Sequence, residues 1–279
     1  MNGRRITSAG ELGLSALAEL FTEGFRHYLL PMHFTAESLA ERICAEQIDL
    51  AASRVLWTDE KPAGLALIAR RGRVCRLSAM GIAPDARAQG AGRALLVRVL
   101  EDARARGDKK MRLEVFETNA PARALYEHNG FRFVRRLVGY EGHQVAPQAA
   151  ALEELDPAHF SQILPPDDSL PWQLERASLA APPSSARCFT LARQSFAYLS
   201  GVAGQVAWLR GIFTPPEERR RGHARTLLQA LAAHFPSQRV SVPPILPEGL
   251  AALFFSAVGF APGALTQLEL ALDLEPGNR

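Results

Sequence analysis

Apolar residues recur at helical spacing from Glu11 to Tyr28 (Leu14, Leu17, Leu20, Phe21, Phe25), and Leu29-Leu30-Pro31 breaks the pattern. Thr35, followed by Glu37 and the apolar positions Leu39, Ile43 and Ile48, predicts a second helix. Three short apolar runs come next, Arg54–Thr58, Gly64–Ile68 and Val74–Ile82, separated by turns at Asp59–Pro62 and Arg71-Gly72. They read as an antiparallel meander. Beyond a glycine-rich loop, Leu95, Leu96, Val99, Leu100 and Ala103 mark a helix from Arg93 to Arg106 that Gly107 ends. Met111–Phe116 reads as a strand. Asn119 caps a helix with Pro121 in its first turn and Asn129-Gly130 at its end, and Phe131–Tyr140 reads as strand.

The same order recurs later. Strands near Cys188–Ala192, Phe196–Leu199 and Val206–Phe213 precede a glycine-containing loop, a helix, a strand, a helix and a strand. The first half reads Pro84-x-x-Arg87-x-x-Gly90-x-Gly92-x-x-Leu95-Leu96, and the second Pro216-x-x-Arg219-x-x-Gly222-x-Ala224-x-x-Leu227-Leu228. Tyr126-x-x-x-Gly130-Phe131 is echoed by Phe255-x-x-x-Gly259-Phe260. A chain of 279 residues has room for two copies of one α/β fold. The expected division is 1–144, a Pro- and Ala-rich segment over 145–170 that begins as a linker and becomes a loosely helical entry to the second copy, and 171–279.

Composition excludes several classes. With 47% hydrophobic and 22% charged residues, the chain is neither disordered nor collagen-like. Residues 1–144 carry 22 Lys/Arg against 17 Asp/Glu, and the remainder 10 against 12, so the mild basic excess lies in the first half. That suits a small anionic ligand better than nucleic acid. Three scattered cysteines (Cys44, Cys75, Cys188) form neither a disulfide framework nor a metal motif, which points to a reduced, cytoplasmic protein without a metal. The N-terminus meets charge too early for a signal peptide. Gly249–Leu268 lacks charge, but Gly259, Pro262 and Gly263 divide it into helix, turn and strand, so no membrane association is expected.

Arg87-Ala88-Gln89-Gly90-Ala91-Gly92 lies between a strand end and a helix start. Unpaired N–H groups and the dipole make such a place suited to phosphate, glycine lets the backbone approach it, and Arg87 adds a forked donor. A Walker loop requires Gly-Lys-Ser/Thr, whereas Arg93-Ala94 follows Gly92. A dinucleotide fingerprint requires glycine where Leu95 stands, and its first glycine closer to the strand than Gly90 is. The acyl-CoA diphosphate loop, Arg/Gln-x-x-Gly-x-Gly/Ala after a strand, fits at every position.

With Leu113-Glu-Val-Phe-Glu-Thr-Asn119 and Ala124-Leu-Tyr126-Glu-His-Asn-Gly130-Phe131 downstream, the chain resembles the GNAT superfamily of acyl-CoA-dependent N-acyltransferases. The resemblance covers about residues 60–140, with a degraded echo over roughly 205–272. It implies two tandem mixed α/β folds, each a largely antiparallel, splayed sheet flanked by helices, with acetyl-CoA as co-substrate. The backbone of Met80, Gly81 and Ile82 would pair with the pantetheine arm. The amides of Gln89 to Arg93 and the Arg87 side chain would hold the diphosphate, and Asn119 would touch the cofactor as well as cap its helix.

By the same resemblance Tyr126 is the general acid that protonates the departing thiolate, and Glu114 matches the base of the branch that acetylates ribosomal-protein N-termini. Each also has a plain structural role open to it, Tyr126 as a core aromatic and Glu114 as a strand carboxylate in an ion pair. The acceptor, a small molecule or peptide carrying a primary amine, would enter between the first two helices near Phe25, Tyr28 and His33. The second copy carries Phe255, Glu248 and Pro243 where the first has Tyr126, Asn119 and Glu114, so catalysis is expected in the first copy alone. A non-catalytic acyl-CoA-binding module is the alternative. The protein is expected to be a monomer or a homodimer.

Overall fold

The computed structural model describes residues 3–29, 32–87, 89–165, 169–201 and 205–275. In chain order its elements are β1 (Arg4–Ser8), α1 (Leu14–Gly24), α2 (Ala36–Glu46), β2 (Arg54–Thr58), β3 (Lys61–Arg71), β4 (Val74–Ile82), α3 (Ala91–Ala105), β5 (Lys110–Phe116), α4 (Ala120–His128) and β6 (Arg132–Glu141). There follow β7 (Glu153–Leu155), α5 (Pro157–Ile163), α6 (Arg176–Leu179), β8 (Arg187–Leu191), β9 (Ser195–Ser200), β10 (Val206–Phe213), α7 (His223–His234), β11 (Arg239–Pro247), α8 (Ala252–Ala257) and β12 (Ala261–Asp273). No helix among the described residues is long and apolar enough to cross a membrane. The uncharged Gly249–Leu268 stretch folds as α8, a turn and the start of β12.

The chain forms two compact units. One holds Met1–Val115, Asn119–Val134 and Glu269–Arg279, and the other Phe116–Thr118 and Arg135–Leu268. The units differ from the expected division at its end. The entry segment 145–170 supplies α5, whose Phe160 is buried, and also β7, which pairs with β8 and was not expected. The last residues belong with the first unit, where Arg112 of β5 reaches Glu269 at 2.7 Å, the carboxylate side chain being 1% exposed.

In the first unit the meander is β1-β2-β3-β4, all antiparallel, with β5 added parallel to β4. The sequence pattern did not predict β1. The helix expected from Glu11 begins at Leu14, after a short turn that a Ser8–Glu11 capping box closes. Thr35 stands at the N-cap of α2, where the sequence put the helix start, and Ser38 completes a reciprocal cap with it. Leu17, Phe21, Leu56, Leu65, Leu67, Leu95, Leu96 and Phe131 are buried, so α1 and α3 turn their apolar faces inward.

α1 lies close on β4 where two glycines meet. A Cβ at Gly81 would stand 2.9 Å from Phe25 Cε2 and 3.1 Å from the Gly24 backbone. Gly81→Ala is therefore expected to lower stability by about 1–3 kcal/mol, as overpacking does. Urea unfolding would measure it, and an unchanged midpoint would show that α1 is free to shift.

In the second unit β6-β11-β10-β9-β8-β7 are hydrogen-bonded neighbours, with β10 parallel to β11 and the remaining pairs antiparallel. Its core is built from Phe189, Leu199, Leu209, Leu227, Leu231 and Phe255. The echo seen in the sequence is structural. Each unit has a parallel strand pair, a short 3-10 turn opening on proline (Pro84–Ala86 and Pro216–Glu218), and a left-handed glycine that caps the next helix, Gly90 at φ 75° and Gly222 at φ 88°.

Candidate active site in the first unit

β4 and β5 pair in register from Val74↔Lys110 to Leu77↔Leu113, and the parallel pairing goes no further although both strands continue. A register shift against β3 occurs at the same level, between the Ile68↔Leu77 and Leu67↔Ala79 pairs, leaving Ser78 as the extra residue. Toward β5 the strand thus parts after Leu77, which leaves Met80, Gly81 and Ile82 along an opening while their other edge stays paired to β3. Backbone groups on such an edge suit a ligand with amides of its own.

The loop after β4 closes one end of this opening. Gly90 takes the left-handed conformation and caps α3, and no side-chain cap hydrogen bond is made there among the described residues, so the first turn of α3 offers backbone amides. The helix begins at Ala91, two residues earlier than the apolar spacing suggested, because Gly90 makes the turn. A Cβ at Gly92 would lie 3.6 to 3.8 Å from Leu125, Met80 and Ile82, which places the helix start against both the β4 end and α4. Ala88 lies outside the described residues. Gln89 receives Arg4 Nη2 on its carbonyl at 2.7 Å, a contact the sequence reading missed.

Arg87 is engaged in holding the loop together. Its Nε donates to the Ile82 carbonyl (2.9 Å), and its Nη2 donates to those of Gly24 (3.2 Å) and Arg26 (3.0 Å). The guanidinium thereby ties the end of α1 to the end of β4.

On the other side stands α4. Asn119 caps it, accepting from the Ala122 amide at 3.3 Å, and its side chain also hydrogen-bonds Tyr28. Tyr126 is 8% exposed and meets Phe131 edge-on at 5.8 Å. Burial, with Tyr28 nearby, raises its pKa well above the ordinary phenol value, so the ring stays protonated. Burial also raises Tyr28, against the opposing pull of the Asn119 hydrogen bond.

The structure thus brings Tyr28, Asn119 and Tyr126 together. Phe25 stacks on Phe21 at 4.8 Å and meets Tyr28 edge-on at 5.1 Å, as part of the aromatic packing under the site. His33 is exposed, and no hydrogen bond or ring contact joins it to this group among the described residues.

Glu114 occupies the β5 position just past the last β4 pair. Its side chain is 2% exposed and lies 2.7 Å from Arg76 of β4, itself 4% exposed. Arg76 also reaches Glu46 at 2.9 Å, and Arg42 reaches Glu46 at 3.1 Å. Burial pushes the Glu46 carboxyl up, but Arg42, Arg76 and the Ser78 hydroxyl outweigh it and hold it at about 2. Arg76 and Glu46 were not picked out from the sequence. The available signal was an arginine inside the apolar run Val74-Cys-Arg-Leu-Ser-Ala-Met80.

A strand pair that opens beside a glycine-capped helix start, with a buried phenol nearby, is the candidate site of the first unit. Residues 14–131 match the model of the Acetyltransferase (GNAT) family. A stretch of 52 residues is 52% identical to the mycothiol acetyltransferase of Beutenbergia cavernae, covering 19% of this chain and 18% of that protein.

Among solved structures, the tandem GNAT protein from the clavulanic acid biosynthesis pathway (13% identity, TM-score 0.71) is covered over its full length and covers all of this chain. A GCN5-related N-acetyltransferase from Sphaerobacter thermophilus (16% identity, TM-score 0.68) covers 99% of this chain, and the chain covers 96% of it. At such identities these likenesses establish the fold, a mixed α/β architecture repeated along the chain.

Proposed function

We propose that the first unit transfers an acetyl group from acetyl-CoA to a primary amine by direct attack in a ternary complex. The observation that carries this is the parting of β4 from β5 beside the Gly90-capped start of α3. Met80, Gly81 and Ile82 would pair with the pantetheine arm. The amides of Gln89, Gly90, Ala91, Gly92 and Arg93 would take the diphosphate, with Arg87 holding the loop in shape for it. Asn119 would touch the arm while capping α4.

Attack of the amine on the thioester carbonyl gives a tetrahedral oxyanion, and its collapse breaks the C–S bond. Tyr126 then delivers its phenolic proton to the leaving sulfur. The amine must lose a proton as it bonds, and Glu114 is the proposed acceptor of it through water. Phe25 and Tyr28 border the acceptor side, and His33 lies further out. A second reading of Glu114 has its own support, since the carboxylate is engaged with Arg76. In that reading it fixes the angle at which β5 leaves β4.

Calorimetry with coenzyme A and acetyl transfer to a panel of amines followed by mass spectrometry test the proposal. One coenzyme A per first unit and at least one acetylated amine are expected. A protein that ignores coenzyme A would overturn the whole reading, and binding without any transfer would leave an acyl-CoA-binding module. The two readings of Glu114 separate in Glu114→Gln. Loss of turnover with an altered pH profile and unchanged melting marks the base, whereas lowered melting with a preserved profile marks the ion pair.

A further inference from the structure

Glu46 is the last residue of α2, and the chain just beyond it is fastened to β3. Gln47 turns in the left-handed conformation and its carbonyl accepts from the Arg70 amide at 3.3 Å. Ile48 forms an isolated bridge with Ala69, and the Asp49 amide donates to the Ile68 carbonyl at 2.8 Å. Those partners stand at the level where β4 carries its extra residue, Ser78, between the Ile68↔Leu77 and Leu67↔Ala79 pairs. The end of α2 is thus fixed beside the bulge by backbone hydrogen bonds.

From there Glu46 reaches the bulge itself. The Ser78 hydroxyl donates to Glu46 Oε2, and Arg76 Nη1 donates to the same oxygen at 2.9 Å. Arg76 Nε in turn donates to Glu114 Oε2 of β5 at 2.7 Å. Arg42, one turn before Glu46, lies 3.1 Å from Glu46 Oε1 and donates to the Ser78 carbonyl at 3.4 Å. One carboxylate on α2 therefore gathers the bulged residue of β4 and the arginine that bridges to β5. A bulge bends its strand and increases the twist, so its place decides where the strand turns from a neighbour. Here that place is where the β4–β5 pairing ends, after Leu77↔Leu113.

We propose that Glu46 is a positioning residue for acyl-CoA binding, acting through Ser78 to hold β4 in the bend that presents Met80, Gly81 and Ile82 to the pantetheine arm. The inference rests on the reading of that opening as the place of the arm. Glu46 does no chemistry in this role. The bend matters to the arm and not to the diphosphate, which the loop at Gly90 would take.

Two probes separate these, coenzyme A and 3′-phosphoadenosine 5′-diphosphate, which keeps the phosphates and lacks pantetheine. Both are titrated by calorimetry into the full chain and into its Ser78→Ala and Glu46→Gln variants. Each variant is expected to bind coenzyme A about tenfold more weakly, the scale of one hydrogen bond to a charged group, and to bind the arm-less nucleotide within about twofold of wild type. Ser78→Thr keeps the hydroxyl and should restore coenzyme A affinity to within about threefold of wild type. Should Glu46→Gln fail to fold, Ser78→Ala, which removes a single hydroxyl, decides alone. Unchanged coenzyme A binding by the folded variants, an equal loss for both probes, or a threonine variant as weak as the alanine one would each overturn the inference. A wild-type protein that ignores coenzyme A overturns the reading of the site itself, whereas wild-type binding with unaffected variants overturns only the role of Glu46.

Discussion

Tyr126→Phe is expected to lower turnover about 10²- to 10⁴-fold, the range of a lost general acid, while coenzyme A affinity stays nearly intact. The ring keeps its place in the substitution, because its contact with Phe131 is made by the ring itself. Only the hydroxyl goes, so the change in stability should remain near 1 kcal/mol. Burial beside Tyr28 holds the phenol protonated above its ordinary value of 10.0. The wild-type rate should accordingly show no fall near pH 10 from loss of this proton, since a raised pKa keeps the acid form present there. A fully active Tyr126→Phe protein across the pH range would refute the acid role and leave Tyr126 as a core aromatic.

Arg76→Met should destabilise the first unit by about 3–5 kcal/mol, because it removes one partner of a buried ion pair. The two side chains are 4% and 2% exposed and 2.7 Å apart, so water cannot replace the lost partner. Glu46 suffers less, having Arg42 at 3.1 Å. Urea unfolding would measure the loss. The double variant Arg76→Met with Glu114→Gln should recover a large part of it, since the other charge of the pair is then gone as well. A single variant within 1 kcal/mol of wild type would refute the pairing.

The same cluster sets an acid limit. Glu46 sits at about 2 in the folded chain, below its ordinary 4.5, so the folded state binds fewer protons than the unfolded one in that interval. Its contribution is complete above about pH 4.5 and is lost as the pH falls toward 2. Glu46→Gln should flatten that part of the acid unfolding curve.

What could be read from the chain alone was local. The meander, the cap at Asn119, the capped start of α2 and the glycine loop each depend on residues a few positions apart, whose backbone preferences act before any packing. The repeat was legible for the same reason, because Arg87–Gly92 and Arg219–Ala224 carry their turn chemistry within six residues. Phosphate-type geometry at Gly90 needed only a left-handed residue and a helix behind it.

Contacts across long stretches of chain were decided by the folded structure. Arg87 looked like a cofactor ligand, yet two of the carbonyls it binds belong to Gly24 and Arg26, more than sixty positions away. Glu114 has an ion-pair partner in Arg76, 38 residues earlier, that no local pattern announced. Tyr28 is tied to the site by a hydrogen bond with the Asn119 side chain, and Glu269 joins the first unit through Arg112. The physical reason is common to all four. A charged or phenolic side chain carries the same chemistry wherever it stands in sequence, and burial together with the partner that packing supplies determines whether it anchors, binds or reacts.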